Sequence, residues 1–185
     1  MGTIKEPQPV KLIVPMLAHQ TQWFDQAEEA LVRRFGAVDW RSDLLPFEAT
    51  DYYVAEMGTP QWRCFVTFAD LIDPGNLAQV KVTTNDIEQT SAIAGRRQIN
   101  LDPGYVSLAK LVLATTKNQW HRIYIGQGIY AEVTLSYQHG GWRPQPWTYP
   151  DYGSAPYLAI MNGVRERYKR QLQSQPQSTA TRQSG

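Results

Sequence analysis

The chain has 185 residues, 42% of them hydrophobic, and its 18 basic and 17 acidic residues give a net charge of +1. This length and composition predict one globular domain whose core is large enough to fold without metal or disulfide staples. The balanced charge excludes a broad electrostatic surface for non-specific nucleic-acid binding, and the lone cysteine, Cys64, excludes an internal disulfide and a cysteine-based metal cluster.

The ends of the chain differ in composition from its middle. Residues 1–9 have no apolar stretch able to act as a signal peptide, and we expect them to be flexible. No run approaches the roughly 18 apolar residues that a membrane span requires, and the cysteine usage suits a reducing compartment. We therefore predict a cytoplasmic protein without a membrane partner, with a globular domain at residues 10–172 and a disordered Gln- and Ser-rich tail at 173–185.

The first predicted elements are a strand and a helix. Residues 11–17 read KLIVPML, which predicts a strand that is interrupted or ended at Pro15. The helix should begin after Thr21 as N-cap, bury an apolar face and stop at Gly36.

Two more strands and a second helix should follow. Residues 37–47 and 62–68 have strand composition, and Asp73-Pro74-Gly75 is typical of a helix start. The inner face of this helix would carry Leu77, Val80, Thr84 and Ile87, and its outer face Lys81, Asn85 and Gln89.

The later strands are indicated by alternation. Residues 123–125 and 129–135 alternate apolar and polar side chains around Gly126-Gln127-Gly128, which predicts an antiparallel hairpin. Continuing the register pairs Ile125 with Ile129, Tyr124 with Tyr130, Arg122 with Glu132, and His121 with Val133. Residues 110–116 fit a buried strand, although a helical stripe also fits, and a last helix is expected at about 155–171.

This order of elements predicts an α+β fold. Strand, helix, two strands, helix and strand is the order of a ferredoxin-like βαββαβ core, here extended by the C-terminal antiparallel hairpin and the final helix.

Three segments place an aspartate beside tyrosine: TDYY at residues 50–53, NLDPGY at 100–105 and WTYPDY at 147–152. Asp and Pro disfavour regular core elements, whereas Tyr and Trp offer flat surfaces with a polar tip. Loops of this kind, brought together by the fold, would form a polar cleft with aromatic walls.

The candidate acid/base residues are Asp102 and His121, each with a structural alternative. Asp102 also fits a turn residue bonded to its own backbone, and His121 a core histidine. Arg122 with Glu132 fits either a cross-strand ion pair or an arginine positioned for an anion. The candidate ligand-binding residues are Asp51, Tyr52, Arg97, Tyr105, Lys110, Arg122, Glu132, Trp147, Tyr149, Asp151 and Tyr152, although the Pro-rich segment 144–150 also fits a rigid strap across the sheet edge.

Several site classes have no support in the sequence. The histidines, His19, His121 and His139, do not have the spacing of a helical zinc site, so we predict no metal site. Residues 126–131 match the letters of a dinucleotide fingerprint, but a strand rather than a helix should follow them. No G-x-x-x-x-G-K-[ST] phosphate loop occurs, and the sequence identifies no cofactor.

The residues resemble a known family. The run from Asn100 to Tyr137, which begins NLDPGY, together with WTYPDY at residues 147–152, is similar to domain-of-unknown-function family 4416, as are KLIVPML and the TDYYVAEMG stretch ending at Gly58. The resemblance implies no established activity. Some members carry the label GTP-binding protein. That label is the sole basis on which the resemblance implies guanine-nucleotide binding.

These observations favour a soluble protein that binds an anionic small molecule, a nucleotide or a phosphorylated metabolite, with or without acid/base chemistry. The alternatives are a non-catalytic binding module, including an RNA- or protein-interaction module, and a structural role in which the Asp/Tyr segments only lock loops. The sequence does not indicate the oligomeric state.

Overall fold

A computed structural model describes residues 2–48 and 54–174, and the protein is α+β, as predicted. The strands are β1 (Val10–Ala18), β2 (Val38–Arg41), β3 (Leu45–Pro46), β4 (Trp62–Ile72), β5 (Ile99–Leu101), β6 (Gly104–Val106), β7 (Lys110–Thr115), β8 (Ile123–Gly126), β9 (Ile129–Gln138) and β10 (Gly141–Pro144). The helices are α1 (Gln22–Phe35), α2 (Val54–Met57), α3 (Leu77–Thr90) and α4 (Ala155–Ser174), with short 3-10 helices at Pro74–Asn76 and Pro150–Gly153. Asp51, Tyr52 and most of the predicted tail lie outside the described residues.

The strands form one antiparallel sheet. Its main path is β10-β9-β7-β6-β1-β4-β2, and β3, β5 and β8 each pair with one strand of that path. Helices α1 and α3 cover one face, where Phe24 and Leu31 of α1 and Val80 of α3 pack on β1 and β4. Helix α4 covers the opposite face through Tyr157, Met161 and Val164. No helix within the described ranges is long and apolar enough to cross a membrane.

The first strand does not end at Pro15. It continues to Ala18, and every residue of the strand is buried. Proline lacks a backbone donor, but the Pro15 carbonyl still accepts a hydrogen bond from the Asp102 N–H at 2.9 Å. The missing donor therefore removes one ladder bond without breaking the strand.

Asp102-Pro103-Gly104 is not a reverse turn, which corrects the turn interpretation of this segment. Strands β5 and β6 both pair with β1 in one register, with Met16 opposite Leu101 and Ile13 opposite Gly104. The chain thus crosses this point extended, and Pro103 only interrupts the ladder.

The predicted inner face of the second helix is buried, but Lys81 does not lie on an outer face. Lys81 is only 5% exposed to solvent, and its ammonium group donates a hydrogen bond to the Leu101 carbonyl at 2.7 Å. Helix α3 packs against both β5 and α1. These contacts bury more of its surface than the apolar face predicted from the sequence.

The hairpin forms with a small change of register. Tyr124 pairs with Tyr130 as predicted, but Gly126 rather than Ile125 lies opposite Ile129 because the register shifts between Tyr124 and Gly126. Residues 110–115 are a strand, β7, and not a helix.

Candidate functional site

A cavity of about 290 Å³ opens where β4, α3, β7, β9 and the Pro150–Gly153 3-10 helix meet. Both Asp/Tyr segments within the described residues reach it, one through Asp102 and the other through Tyr149, Asp151 and Tyr152. The fold therefore brings together side chains almost 50 residues apart in the chain.

Arg63 forms the floor of this cavity. It lies near the start of β4, and its side chain is 4% exposed. Its Nη1 is 3.5 Å from Asp102 Oδ2, and its Nη2 is 3.8 Å from Asp151 Oδ2. The guanidinium also stands 4.8 Å above the Phe47 ring. One arginine thus bridges the carboxylates of two separate loops.

The floor holds several buried polar atoms without a hydrogen-bond partner in the described part of the chain. They are Arg63 Nε and Nη1, Asp151 Oδ1 and Tyr152 Oη. Buried polar atoms are nearly always paired in folded proteins, because desolvation without a partner is costly. The cluster around Arg63 is therefore a set of polar groups whose hydrogen-bonding capacity the described residues do not satisfy.

The electrostatics of the floor favour hydrogen-bond donors. Burial raises the pKa of the Asp151 carboxyl, against the opposing effect of Arg63. Burial likewise raises the pKa of the Tyr152 hydroxyl well above its usual value. Burial also raises the pKa of Tyr157, which lies beside Arg63 behind the floor, so both phenols keep their protons at neutral pH. Burial alone would lower the pKa of Arg63, but the neighbouring tyrosines and carboxylates raise it.

A buried ion network forms the α3 wall. Lys81 Nζ is 3.9 Å from both Glu88 Oε1 and Asp102 Oδ1. Glu88 Oε1 accepts a hydrogen bond from the Leu101 N–H at 2.6 Å, which ties the helix to β5. This network connects α3 with β5 and places the Lys81 ammonium beside the Asp102 carboxylate.

Arg97 extends the network toward α2. Its Nε and Nη2 donate to Glu56 at 2.8 and 2.7 Å, and its Nη1 donates to Glu88 at 3.1 Å. The first of these interactions lowers the pKa of Glu56. Asn100 joins Arg97 to the floor, since it accepts from Arg97 at 3.2 Å and donates to Asp102 Oδ2 at 2.7 Å.

The predicted pair of Arg122 and Glu132 lies on the opposite wall. Arg122 Nε donates to Glu132 Oε2 at 2.8 Å, and His121 Nε2 lies 3.1 Å from the same oxygen. His121 itself does not line the cavity. Its ring stacks on Trp147 at 5.1 Å between centroids, and among the described lining residues it contacts Glu132.

The structure therefore divides the predicted site residues that it describes, all but Asp51 and Tyr52, into two groups. Those that line the cavity are Arg97, Asp102, Arg122, Glu132, Tyr149, Asp151 and Tyr152. Four others do not line it. Tyr105 packs against the cluster of Leu77 and Ala78, Lys110 is exposed at the start of β7, Trp147 donates to the Val133 carbonyl at 3.0 Å, and His121 lies behind Glu132.

Sequence reasoning missed Arg63, Lys81, Glu88 and Asn100. Arg63 carried a signal, because it is the charged residue inside the otherwise apolar strand WRCFVTF. A charged residue in a buried strand must be paired or functional. Among the described residues no group of three His, Cys, Asp or Glu side chains is placed to hold a metal ion.

Comparison with known proteins supports the resemblance found in the sequence. The family described as Domain of unknown function (DUF4416) matches residues 8–168. No curated protein and no solved structure matches the chain.

Proposed function

The chain belongs to the DUF4416 family. On the basis of its cavity, we propose that the protein binds a small anionic molecule, either a nucleotide or a phosphorylated metabolite. Arg63 is the anchor for the anionic group. The Tyr152 hydroxyl at the floor supplies a further donor.

Arg63 is the observation that carries this proposal. A guanidinium removed from water needs acceptors for its N–H groups, and two of its three nitrogens have none among the described residues. Its carboxylate neighbours stand 3.5 and 3.8 Å away, which is too far for strong hydrogen bonds. A phosphate or carboxylate oxygen would satisfy these donors, and such charge-assisted bonds are among the stronger ones in proteins.

The size of the cavity favours a small molecule over a polymer. Its volume of about 290 Å³ is near the lower end of the range of roughly 300–1,000 Å³ common for small-molecule sites. The near-neutral net charge of the chain gives no support to a polyanion partner.

A thermal-shift series tests the proposal. Inorganic phosphate, ribose 5-phosphate and the nucleoside 5′-monophosphates would be compared with uncharged ribose, each with and without magnesium. We expect at least one anion to raise the melting temperature, because a ligand at about 100 times its Kd adds roughly 2.7 kcal/mol to the free energy of unfolding. A panel in which no anion differs from ribose would overturn the proposal.

Acid/base catalysis is a second candidate function. It is favoured because Asp102 and Asp151, which both lie beside Arg63, have different environments. The Asp102 side chain is 29% exposed and accepts a hydrogen bond from Asn100, whereas that of Asp151 is 11% exposed and its pKa is raised by burial. Carboxyl pairs whose environments differ in this way serve as base and acid in many enzymes. Asp102 would then be the base and Asp151 the acid.

The Asp102→Asn variant separates catalysis from binding alone. If the protein is an enzyme, turnover of a bound ligand should fall by roughly 100-fold or more, while ligand affinity stays within a few-fold. Asp86→Asn, on the exposed side of α3, is the matched control and should change neither. Equal turnover by both variants would exclude Asp102 as the base.

We also infer that residues 10–106 form a ferredoxin-like core. The inference is supported by the order of the strands, since β5 and β6 pair with β1, β1 with β4, and β4 with β2, all antiparallel. It is supported too by α1 and α3, which connect the strands and pack on one face of the sheet.

A further inference from the structure

Tyr149 stands at the cavity with most of its surface uncovered. It lines the cavity and is 57% exposed. It comes directly before the 3-10 helix that carries Asp151 and Tyr152, so its ring belongs to the same short segment as two floor residues. No other aromatic ring among the described residues packs against it, whereas Trp147, two residues earlier, stacks on His121.

The backbone on both sides of Tyr149 is fixed. Thr148 Oγ1 donates to the Thr134 carbonyl of β9 at 2.5 Å and accepts from the Gln145 N–H at 2.7 Å. The Tyr149 carbonyl accepts from the Tyr152 N–H at 3.0 Å. Because these bonds already order the backbone, a ligand that contacts Tyr149 would have to order only the side chain.

The lining also contains apolar surface between its charged side chains. Phe47, Leu113 and Ala114 line the cavity together with Tyr149. The hydroxyl of Thr116 and the amide of Asn85 add neutral hydrogen-bonding groups to the lining. Free phosphate would contact the charged groups and leave this apolar and aromatic part of the lining without a partner.

We infer that Tyr149 is a stacking platform and that the anionic ligand carries a planar heteroaromatic ring, as a nucleotide does. The anionic group would lie on Arg63 and the ring against Tyr149. This inference rests on the proposed function, and it adds the ring to the ligand class. Stacking on an aromatic side chain is tolerant of the base, so no single nucleobase is implied.

The test compares two ligands that differ by the base alone. Isothermal titration of the wild-type protein should show at least one nucleoside 5′-monophosphate binding roughly five- to 150-fold more tightly than ribose 5-phosphate. The Tyr149→Leu variant should lose that advantage and still bind ribose 5-phosphate with wild-type affinity. Tyr149→Phe should keep it, because the ring and not the hydroxyl makes the contact.

Tyr124 supplies the matched control. Tyr124 is 59% exposed, a fraction similar to that of Tyr149. It lies on the hairpin strand β8, where its ring packs against Tyr130. Tyr124→Leu should leave both affinities unchanged. If ribose 5-phosphate and the nucleotides bind equally, or if Tyr149→Leu keeps the difference, the platform is refuted while the anion site stands. If no phosphate compound binds, the proposed function itself fails.

Discussion

The Arg63→Met/Asp151→Asn double variant is expected to lose affinity for anions by roughly 100-fold or more and to remain as stable as the wild-type protein. The affinity falls because the buried guanidinium is the charge that the ligand would meet at the floor. The stability persists because the two substitutions remove a desolvated cation and one of its carboxylate partners together. Replacing buried ion pairs by neutral groups of similar volume is often neutral or stabilising.

Calorimetric titration with the tightest anion of the thermal-shift series measures the first effect, and urea unfolding measures the second. Arg41→Met is the matched control, since Arg41 also contacts two carboxylates, Asp25 at 2.8 Å and Glu28 at 3.0 Å. It does not line the cavity, and its loss should cost at most about 1 kcal/mol and leave affinity unchanged. Retention of anion binding by the double variant would show that Arg63 is not the anchor.

The Gly104→Ala variant is expected to lose about 3 kcal/mol or more of its free energy of unfolding. A Cβ atom at this position would lie 2.2 Å from the Val112 carbonyl oxygen and 2.6 Å from Leu113 Cδ2. The carbonyl belongs to the neighbouring strand β7, so relief of the clash requires the β6–β7 pairing to open. Glycine is needed here for close approach of two strands and not for a turn.

Urea unfolding followed by circular dichroism measures this loss. Gly163→Ala is the control, because Gly163 is exposed in the interior of α4 and an added Cβ there meets nothing within 4 Å. That substitution should stabilise the protein by about 1 kcal/mol, since alanine is the better helix former. A Gly104→Ala protein as stable as the Gly163→Ala protein would contradict the close strand approach described above.

The NLDPGY segment thus combines a site residue with a folding requirement. Asp102 directs its carboxylate to Arg63 in the cavity, while Gly104, two residues later, lets β7 approach β6. Because both roles lie in one extended segment, substitutions at Gly104 should disturb the cavity as well as the sheet.

Local patterns in the sequence were enough for much of the fold. The α+β class, helix α1 with its stop at Gly36, the buried side of α3 and the hairpin pair of Tyr124 with Tyr130 are confirmed. Each of these depends on residues close together in the chain, where periodicity and turn chemistry act directly. Local rules misled at Pro15 and Asp102-Pro103-Gly104, which lie opposite each other in one continuous ladder, and also at Lys81 and at the register of Ile125.

What the amino-acid sequence determined by itself is therefore the class of the fold and the kinds of side chain its loops carry. Only the tertiary structure decided which of them meet. It placed Asp102 and Asp151 on the buried Arg63, turned Lys81 inward and left His121 behind Glu132. The physical reason is that charges far apart in the chain become neighbours only through sheet order and helix packing, which no local pattern encodes.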